Sequence, residues 1–293
     1  MKVAVMYNRH SGRGSDPAVE TEVVNGLRAM GHTVELFVPT AKGQMTPLAT
    51  SAATSGFELV VAVGGDGTLN EVVNGLLGHN VPLALIPLGT VNVWARCTGI
   101  PLTVAGALET IRTGAPRPVS VAKANQRAFV FTAGIGLDAE VLSNEDLKLK
   151  KYIGRYSYYL KTALMLPTWK APRLEITFDE DPPFPCEAVV FGKTNLYGDR
   201  FRITPYASPF DPLVDACMFR RFDALKFVRT VMASTRDGAH LKQDYIAYKR
   251  FSRARITSPD PAHIHVDGEY LGKLPVEIVA LPDALSAWLP RPA

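Results

Sequence analysis

The stretch VVAVGGDGTLNEVVNGL, residues 60–76, begins as a run of β-branched residues, passes through a glycine-rich turn and continues with helical periodicity. Glycines at a strand-to-helix junction let backbone N–H groups approach an anion, and the helix N-terminus adds favourable partial charge. Asp66 is unexpected in such a turn, because a carboxylate repels phosphate unless a cation lies between them. Gly64–Thr68 therefore predicts a site for a nucleotide and its metal ion, and a tight turn capped by Asp66 is the alternative.

The region around this stretch, residues 1–120, alternates short apolar strands with helical segments. Such alternation predicts a parallel sheet covered by helices, and ligands of these sheets bind at the carboxyl ends of the strands. Two further strand ends carry glycine beside serine or threonine, at residues 8–14 and 89–92. The four strands predicted here are Val3–Tyr7, Thr33–Val38, Glu58–Val63 and Val81–Pro87.

The pattern changes after Pro118 to many short β-like runs separated by proline and glycine turns, which predicts a sandwich-like second domain. Helical patterns recur there only at about Lys151–Leu166 and Asp223–Ser234. We therefore predict an α/β domain at residues 1–120 and an all-β domain at residues 121–279, with residues 280–293 as a candidate segment to return to the first domain.

Composition narrows the class of protein. With 293 residues, 47% of them hydrophobic and 20% charged, the chain is typical of a globular protein, and its apolar runs are too short to span a bilayer. Three scattered cysteines show neither a disulfide framework nor metal-ligand spacing, so we predict a cytoplasmic protein. The net charge of only +4 predicts no nucleic-acid partner. We interpret His263 and His265 as ordinary strand residues and Cys217 as a buried one.

Positive charge is concentrated between residues 147 and 170, where six basic residues occur without an acid. Tyrosines and Trp169 are interleaved with them, a combination that suits transient contact with an anionic membrane surface. A solvated helix face with tyrosines in the core is the alternative. The basic residues are Lys148, Lys150, Lys151, Arg155, Lys161 and Lys170.

Several motifs together resemble the diacylglycerol kinase catalytic-domain superfamily, which includes diacylglycerol, sphingosine and ceramide kinases, and within it the soluble bacterial members of the YegS and DgkB type. The resemblance covers nearly the whole chain. The matching segments are Gly64–Thr68 with Asn70 and Asn74-Gly75, Pro87–Thr90 with Asn92 and Ala95-Arg96, Gly134–Ala139, Asn195 with Gly198, Pro205–Ala207, and Val266–Glu269.

The resemblance implies an N-terminal Rossmann-like nucleotide-binding domain and a C-terminal β-sandwich domain, with the active site in the interdomain cleft. It implies ATP and Mg²⁺ as cofactors and a lipid with a free hydroxyl as substrate. The positions it assigns to the nucleotide are Asn8, Arg9, His10, Ser11, Gly12, Thr40, Gly64, Gly65, Asp66, Gly67, Thr68, Leu69, Asn70 and Thr90.

The resemblance also implies roles for carboxylates. Glu269 carries over as the proton acceptor, and Asp66 and Asp267 as the residues that organise Mg²⁺. A separate structural Mg²⁺ site carries over onto the Asp211 side chain and the carbonyls of Ser208 and Leu213.

Two departures from the family pattern bear on function. Phe210 and Pro212 replace an acid and a glycine in the segment of the structural Mg²⁺ site, and Val93 replaces an aspartate found in many diacylglycerol kinases. These departures leave a nucleotide- or lipid-binding regulator without turnover as one alternative. A NAD kinase, which shares the Gly64–Thr68 motif, is the other. The sequence leaves a homodimer open.

Overall fold

The computed structural model describes residues 1–143, 156–236 and 238–291. It divides into two compact units, each built from more than one segment of the chain. The first unit comprises Met1–Val121, Pro209–Asp211 and Leu281–Ala293, and the second comprises Ala122–Ser208 and Pro212–Ala280. An α/β unit precedes an antiparallel β-sandwich in the chain, as the sequence predicts.

A parallel sheet with the strand order β2-β1-β3-β4 forms the centre of the first unit. All six residues of β3 are buried, which explains why this strand reads as a continuous apolar run. The end of β16 adds a further parallel strand, because Ala287 pairs with Leu83 of β4. The bounds are β1 Lys2–Tyr7, β2 Thr33–Phe37, β3 Leu59–Gly64, β4 Leu83–Pro87 and β16 Val276–Leu289.

Helices cover this sheet, and side-chain caps fix where two of them begin. Asp16 accepts a hydrogen bond from the backbone N–H of Ala18 at the start of α1, and Thr103 accepts one from Gly106 at the start of α5. The helices are α1 Pro17–Ala29, α2 Met45–Thr54, α3 Asp66–Leu76, α4 Val93–Thr98 and α5 Val104–Thr113.

Helix α2 is an addition that the sequence pattern does not predict. Its buried face consists of Met45, Ala49 and Ala52, so it carries little of the large apolar periodicity by which helices are recognised. It packs on α3 at Gly75, where an added Cβ would clash with the backbone of Thr46. Close approach of two backbones therefore replaces interdigitating large side chains.

The second unit contains two antiparallel sheets. One has the order β12-β11-β10-β7-β14-β15, and the other joins the first residues of β16 to β13, β8 and β9. Strand β5, most of which belongs to the first unit, pairs with β16 and with β6. The bounds are β5 Ala115–Ala124, β6 Arg127–Phe129, β7 Thr132–Ile135, β8 Leu174–Phe178, β9 Phe184–Cys186, β10 Ala188–Gly192, β11 Val214–Phe219, β12 Ile246–Phe251, β13 Arg253–Thr257, β14 His263–Val266 and β15 Glu269–Lys273.

The core of this unit lies between the two sheets. Ile135 and Phe191 on one sheet and Ile176, Phe178 and Ile278 on the other belong to one buried apolar cluster. Three helices are also described in this unit, and the first of them is not predicted from the sequence. They are α6 Leu137–Ser143, α7 Tyr156–Met165 and α8 Ala224–Ala233.

The sequence pattern predicts one strand at residues 128–133 and a last strand at residues 276–281, and the structure corrects the extent of both. Residues 128–133 form parts of two strands rather than one, because the backbone N–H groups of Val130, Phe131 and Thr132 turn toward the carboxylate of Asp267. The final strand continues well past residue 281, because its later residues pair in the first unit.

None of the helices within the described ranges is long and apolar enough to cross a lipid bilayer. Lys148, Lys150, Lys151 and Arg155, which carry much of the predicted membrane contact, lie outside the described residues.

Candidate active site

Three loops meet at the carboxyl ends of β1, β3 and β4. The backbone N–H of Asn8 donates to the carbonyl of Val63 over 3.0 Å, and that of Leu88 donates to Gly64 over 2.8 Å. The side chain of Asn8 also donates to the hydroxyl of Thr68 over 2.8 Å. The structure thus brings together the three glycine-containing strand ends in the first unit.

Glycine is required where these loops touch. A Cβ added to Gly65 would lie 3.1 Å from both the Cα of Gly89 and the Oγ of Ser11. A Cβ added to Gly89 would lie 2.7 Å from the Cα of Gly65, which real side chains do not tolerate. Gly12 has a φ of +52° and faces the carbonyl of Leu88 so closely that a Cβ would clash. The loops therefore form a surface of bare backbone, which suits close approach of phosphate.

The side chain of Asn92 stabilises the third loop by hydrogen bonds to the backbone of Gly89, a role that the sequence analysis does not assign. Its side-chain oxygen accepts from the N–H of Gly89 over 2.9 Å, and its amide donates back to the Gly89 carbonyl over 2.8 Å. Its φ of 54° lies in the left-handed region, which asparagine tolerates better than most residues. An asparagine three residues after a loop glycine is the signal that could have indicated this.

The sequence pattern predicts a helix at residues 69–77, but α3 begins three residues earlier, so Asp66 lies in its first turn. The carboxylate is half-buried and is stabilised by the backbone N–H groups of Asn92, Val93 and Trp94 at the start of α4. Desolvation by burial nevertheless outweighs these hydrogen bonds and raises the pKa of Asp66 above its ordinary value. This desolvated carboxylate would be stabilised by an added cation.

Val93 itself is buried, so its side chain contributes to the core of the first unit while its N–H faces Asp66. The absence of a carboxylate at this position leaves Asp66 as the acid of the loop cluster.

The remaining predicted nucleotide residues differ in what they offer. Arg9 forms an exposed ion pair with Glu20 over 2.9 Å, and Thr40, exposed beyond β2, is held by Gln44 over 2.8 Å. His10, Gly67 and Thr90 are exposed at the strand ends. Leu69 and Asn70 are instead buried, and the Leu69 N–H donates to the Gly65 carbonyl, so both support α3 from within the core.

The turn between β14 and β15 carries Asp267 and Glu269. Asp267 has a φ of 48° and Gly268 a φ of 79°, which is the backbone of a tight Asp-Gly hairpin. Both carboxylate oxygens of Asp267 accept backbone N–H groups, from Val130 over 2.9 Å and from Phe131 and Thr132 over 3.0 Å each. Asp267 thus holds the hairpin to residues 130–132, and its role in organising Mg²⁺ stays a prediction.

Glu269 is the first residue of β15, and its side chain remains 40% exposed. Arg127 donates to its carboxylate over 3.2 Å, a partner that sequence reasoning missed because the two residues lie far apart in the chain. The contact fixes the direction of the Glu269 side chain while leaving a large part of it open to a reactant.

A cluster of Asp138, His265 and Tyr197 lies beneath the same hairpin. One carboxylate oxygen of Asp138 accepts from the Tyr197 hydroxyl over 3.0 Å and contacts His265 Nε2 at 2.9 Å, while the other accepts from the Ala139 N–H over 2.8 Å. Burial disfavours the ionised carboxylate, but His265 and the hydrogen bonds outweigh it and lower the pKa of Asp138. The structure confirms His265 as a buried strand residue, 2% exposed.

The segment predicted to hold a structural Mg²⁺ is contacted by a lysine. Lys193 is fully buried directly after β10, and its ammonium donates to the carbonyl of Leu213 over 2.9 Å. Leu213 is one of the predicted carbonyl ligands, and an ammonium beside it repels a divalent cation. No group of three or more His, Cys, Asp or Glu side chains suited to a metal occurs among the described residues. The ammonium disfavours a divalent cation at the Leu213 carbonyl, and the Mg²⁺ site at Ser208, Asp211 and Leu213 stays a prediction.

Comparison with known proteins gives matches over both units. A family model described as the diacylglycerol kinase catalytic domain matches residues 2–124, and one described as the YegS C-terminal NAD kinase beta sandwich-like domain matches residues 131–288.

Relatives cover almost the entire chain. A protein of Bacillus subtilis (strain 168) named diacylglycerol kinase is 32% identical over 295 residues, covering 99% of this chain and 97% of its own. One of the same name from Staphylococcus epidermidis is 31% identical, covering 99% and 92%. A crystal structure of a diacylglycerol kinase from Bacillus anthracis str. Sterne is similar with a TM-score of 0.82 at 25% identity, covering 98% of this chain and 96% of the other.

Proposed function

Because the chain belongs to the diacylglycerol kinase catalytic-domain family and carries the YegS-type C-terminal domain, we propose that it is an ATP- and Mg²⁺-dependent lipid kinase. The γ-phosphoryl group of ATP is transferred to the hydroxyl group of a lipid. Diacylglycerol is the first candidate acceptor, because it gives the named relatives their names.

The observation that carries this proposal is the bare backbone surface at the ends of β1, β3 and β4, with the desolvated carboxylate of Asp66 beside it. Phosphoryl transfer needs positioning and charge neutralisation more than covalent participation by the protein. The loops around Gly12, Gly65 and Gly89 offer the backbone surface that phosphates require, and the raised pKa of Asp66 indicates a carboxylate that gains from a cation.

Mg²⁺, when bound with ATP, would neutralise charge on the phosphates and on the carboxylate of Asp66. The lipid hydroxyl oxygen forms a bond to the γ-phosphorus while the bond to the ADP oxygen breaks. The carboxylate of Glu269 takes the hydroxyl proton, and Arg127 holds that carboxylate in one direction. Asp267 supports this step indirectly by fixing the hairpin on which Glu269 lies.

The test is transfer of labelled phosphate from ATP to separate acceptors. Short-chain diacylglycerol, sphingosine, ceramide, NAD and a total lipid extract would each be assayed with the wild type, Glu269→Gln and the control Glu175→Gln. Glu175 is an exposed residue of β8. Glu269→Gln should lower kcat for the lipid acceptor by at least about a hundredfold while ATP affinity is nearly unchanged.

Three outcomes would contradict the proposal in different ways. Labelling of NAD alone would indicate the small-molecule kinase, and ATP binding without labelling of any acceptor would indicate a regulator. A Glu269→Gln variant with the kcat of the wild type, measured where chemistry limits the rate, would show that the proton acceptor lies elsewhere.

A further inference from the structure

Helix α8 presents an exposed apolar stripe. Leu225 is 68% exposed, Val228 43% and Met232 69%, and their spacing of three and four residues places them on one face of the helix. Large apolar side chains so exposed in a row on one short helix form a patch rather than isolated surface residues.

The opposite face of α8 is firmly attached to the second unit. Asp223 caps the helix by accepting the Lys226 N–H over 2.8 Å, and the buried hydroxyl of Thr230 donates to Gln243 over 2.8 Å. The ring of Phe227 lies 5.5 Å from that of Phe222. The stripe is therefore presented outward by an anchored helix.

Positive charge surrounds the stripe. Residues 220–236 contain five basic residues and one acid, a net charge of +4 that equals the excess of the whole chain. The single acid, Asp223, is engaged with Lys226 over 2.6 Å. Arg221 and Arg229 have no ion-pair partner among the described residues, and helical spacing places Arg229 beside both Leu225 and Met232.

A second apolar stripe belongs to the same unit. Leu160 and Leu164 on α7 are 47% and 69% exposed, one helical turn apart. The segment after α7 contacts the segment before α8, because the rings of Trp169 and Phe222 are 4.8 Å apart. Half of the ten exposed large apolar residues of the described chain thus lie on these two helices.

We propose that Leu225, Val228 and Met232 with Arg221 and Arg229, together called the α8 surface, dock the protein on an anionic lipid bilayer. Apolar side chains enter the interface while the guanidinium groups bind lipid phosphates, as in interfacial amphipathic helices. The stripe is small for a stable protein interface, and the uncompensated arginines favour a partner of uniformly negative charge. The inference rests on the proposed function, since a lipid acceptor is met at a bilayer.

The experiment measures binding of the full chain to vesicles of phosphatidylcholine with and without phosphatidylglycerol. The double variant Arg221→Gln/Arg229→Gln should weaken binding to the anionic vesicles by about fivefold per arginine, less at high salt. Leu225→Ser/Met232→Ser should weaken it by about tenfold or more at any salt concentration. The matched controls are Arg255→Gln and Leu102→Ser, both at exposed sites on other elements.

Phosphorylation of a dispersed short-chain lipid separates docking from catalysis. Variants of the α8 surface should keep wild-type turnover on this substrate, and loss of that turnover would overturn a docking role. If the wild type phosphorylates none of the acceptors, the proposed kinase function is wrong. The binding of the variants to vesicles then still tests the docking role of the α8 surface. If both double variants bind anionic vesicles as tightly as the wild type does, the proposal that the α8 surface docks on a bilayer is wrong.

A fluorescent variant keeps the test decisive if a double variant fails to fold. Met232→Trp should show blue-shifted tryptophan emission on addition of anionic vesicles, with quenching by brominated lipid. Emission that is unchanged by vesicles, or that shifts with protein concentration alone, would overturn the proposal, the latter by showing that a second copy covers the stripe.

Discussion

Asp66 in the first unit and Asp138 in the second are both aspartates in the first turn of a helix, yet their pKa values shift in opposite directions. Asp138 has His265 and Tyr197 within hydrogen-bond distance, and its pKa is lowered despite burial. Within the described ranges, the charge of Asp66 is stabilised by backbone N–H groups and by Arg96, yet burial outweighs them and its pKa is raised. The chain therefore supplies the groups that offset the charge of Asp138, whereas it offsets the charge of Asp66 only in part.

The largest expected effect follows from replacing Asp138, whose carboxylate has side-chain partners within the chain. Asp138→Asn should destabilise the protein by about 3 kcal/mol at neutral pH, because it removes the buried carboxylate that Tyr197 and His265 contact. Since the pKa of Asp138 in the folded protein lies below its ordinary value of 3.8, the stabilisation is present above that pH and is lost as the pH falls further. Thermal unfolding as a function of pH measures this.

The control for Asp138 is Asp244→Asn, at an exposed residue. The difference in Tm between the wild type and Asp138→Asn should shrink in acid, whereas Asp244→Asn should match the wild type throughout. A pH-independent difference would show that the Asn variant acts by packing alone.

Replacing Asp66, whose charge is offset only in part by the chain, should lower activity without lowering stability. Asp66→Asn should lower kcat by about 10²–10³-fold through lost electrostatic stabilisation of the phosphoryl group and its cation. Because burial raises its pKa, ionised Asp66 costs stability as the pH rises through its ordinary value, and the neutral variant avoids that cost. The Tm of the nucleotide-free variant at neutral pH should therefore equal or exceed that of the wild type.

Kinetics and calorimetry on one preparation would check both halves of this expectation. A variant that is inactive and also several degrees less stable would mean that Asp66 mainly supports α4. A stable variant with normal kcat would remove Asp66 from the reaction.

A smaller effect is expected at Lys193, a buried charge that resembles Asp138 in having its partner within the chain. Lys193→Met should destabilise the protein by about 1–3 kcal/mol, because the Leu213 carbonyl loses its donor. With no nucleotide present, the Tm of the wild type should be the same in chelator and in Mg²⁺. A Tm that falls when chelator is added would support the predicted Mg²⁺ site. The control for Lys193→Met is Lys242→Met, at an exposed residue.

Much of the fold was predictable because the deciding signals are local. The buried run before Gly64 and the glycines after it specify a strand, a turn and a helix within one stretch, and the same pattern at the ends of β1 and β4 predicted the meeting of three loops. Helix α2 escaped prediction because its buried face is made of small residues.

The parts of the site that could not be predicted depend on contacts between distant residues. Asp267 reads as a free acid in its own turn, and only the fold brings the N–H groups of residues 130–132 to it. The resemblance assigns the Leu213 carbonyl to a metal ion, and only the fold brings the Lys193 ammonium to that carbonyl. The spacing of residues along the chain can indicate which charged residues belong to a site. Which residue neutralises each charge depends on the tertiary structure.

The last strand of the first unit has a consequence for synthesis. Residues 281–289 complete a unit whose other strands are made at the start of the chain, and Ala287 pairs with Leu83. On the ribosome, where domains usually fold in the order of their emergence, this unit stays unfinished until residues 281–289 have been translated. The second unit consists of segments that all precede residue 281, so it can fold before the first unit is complete.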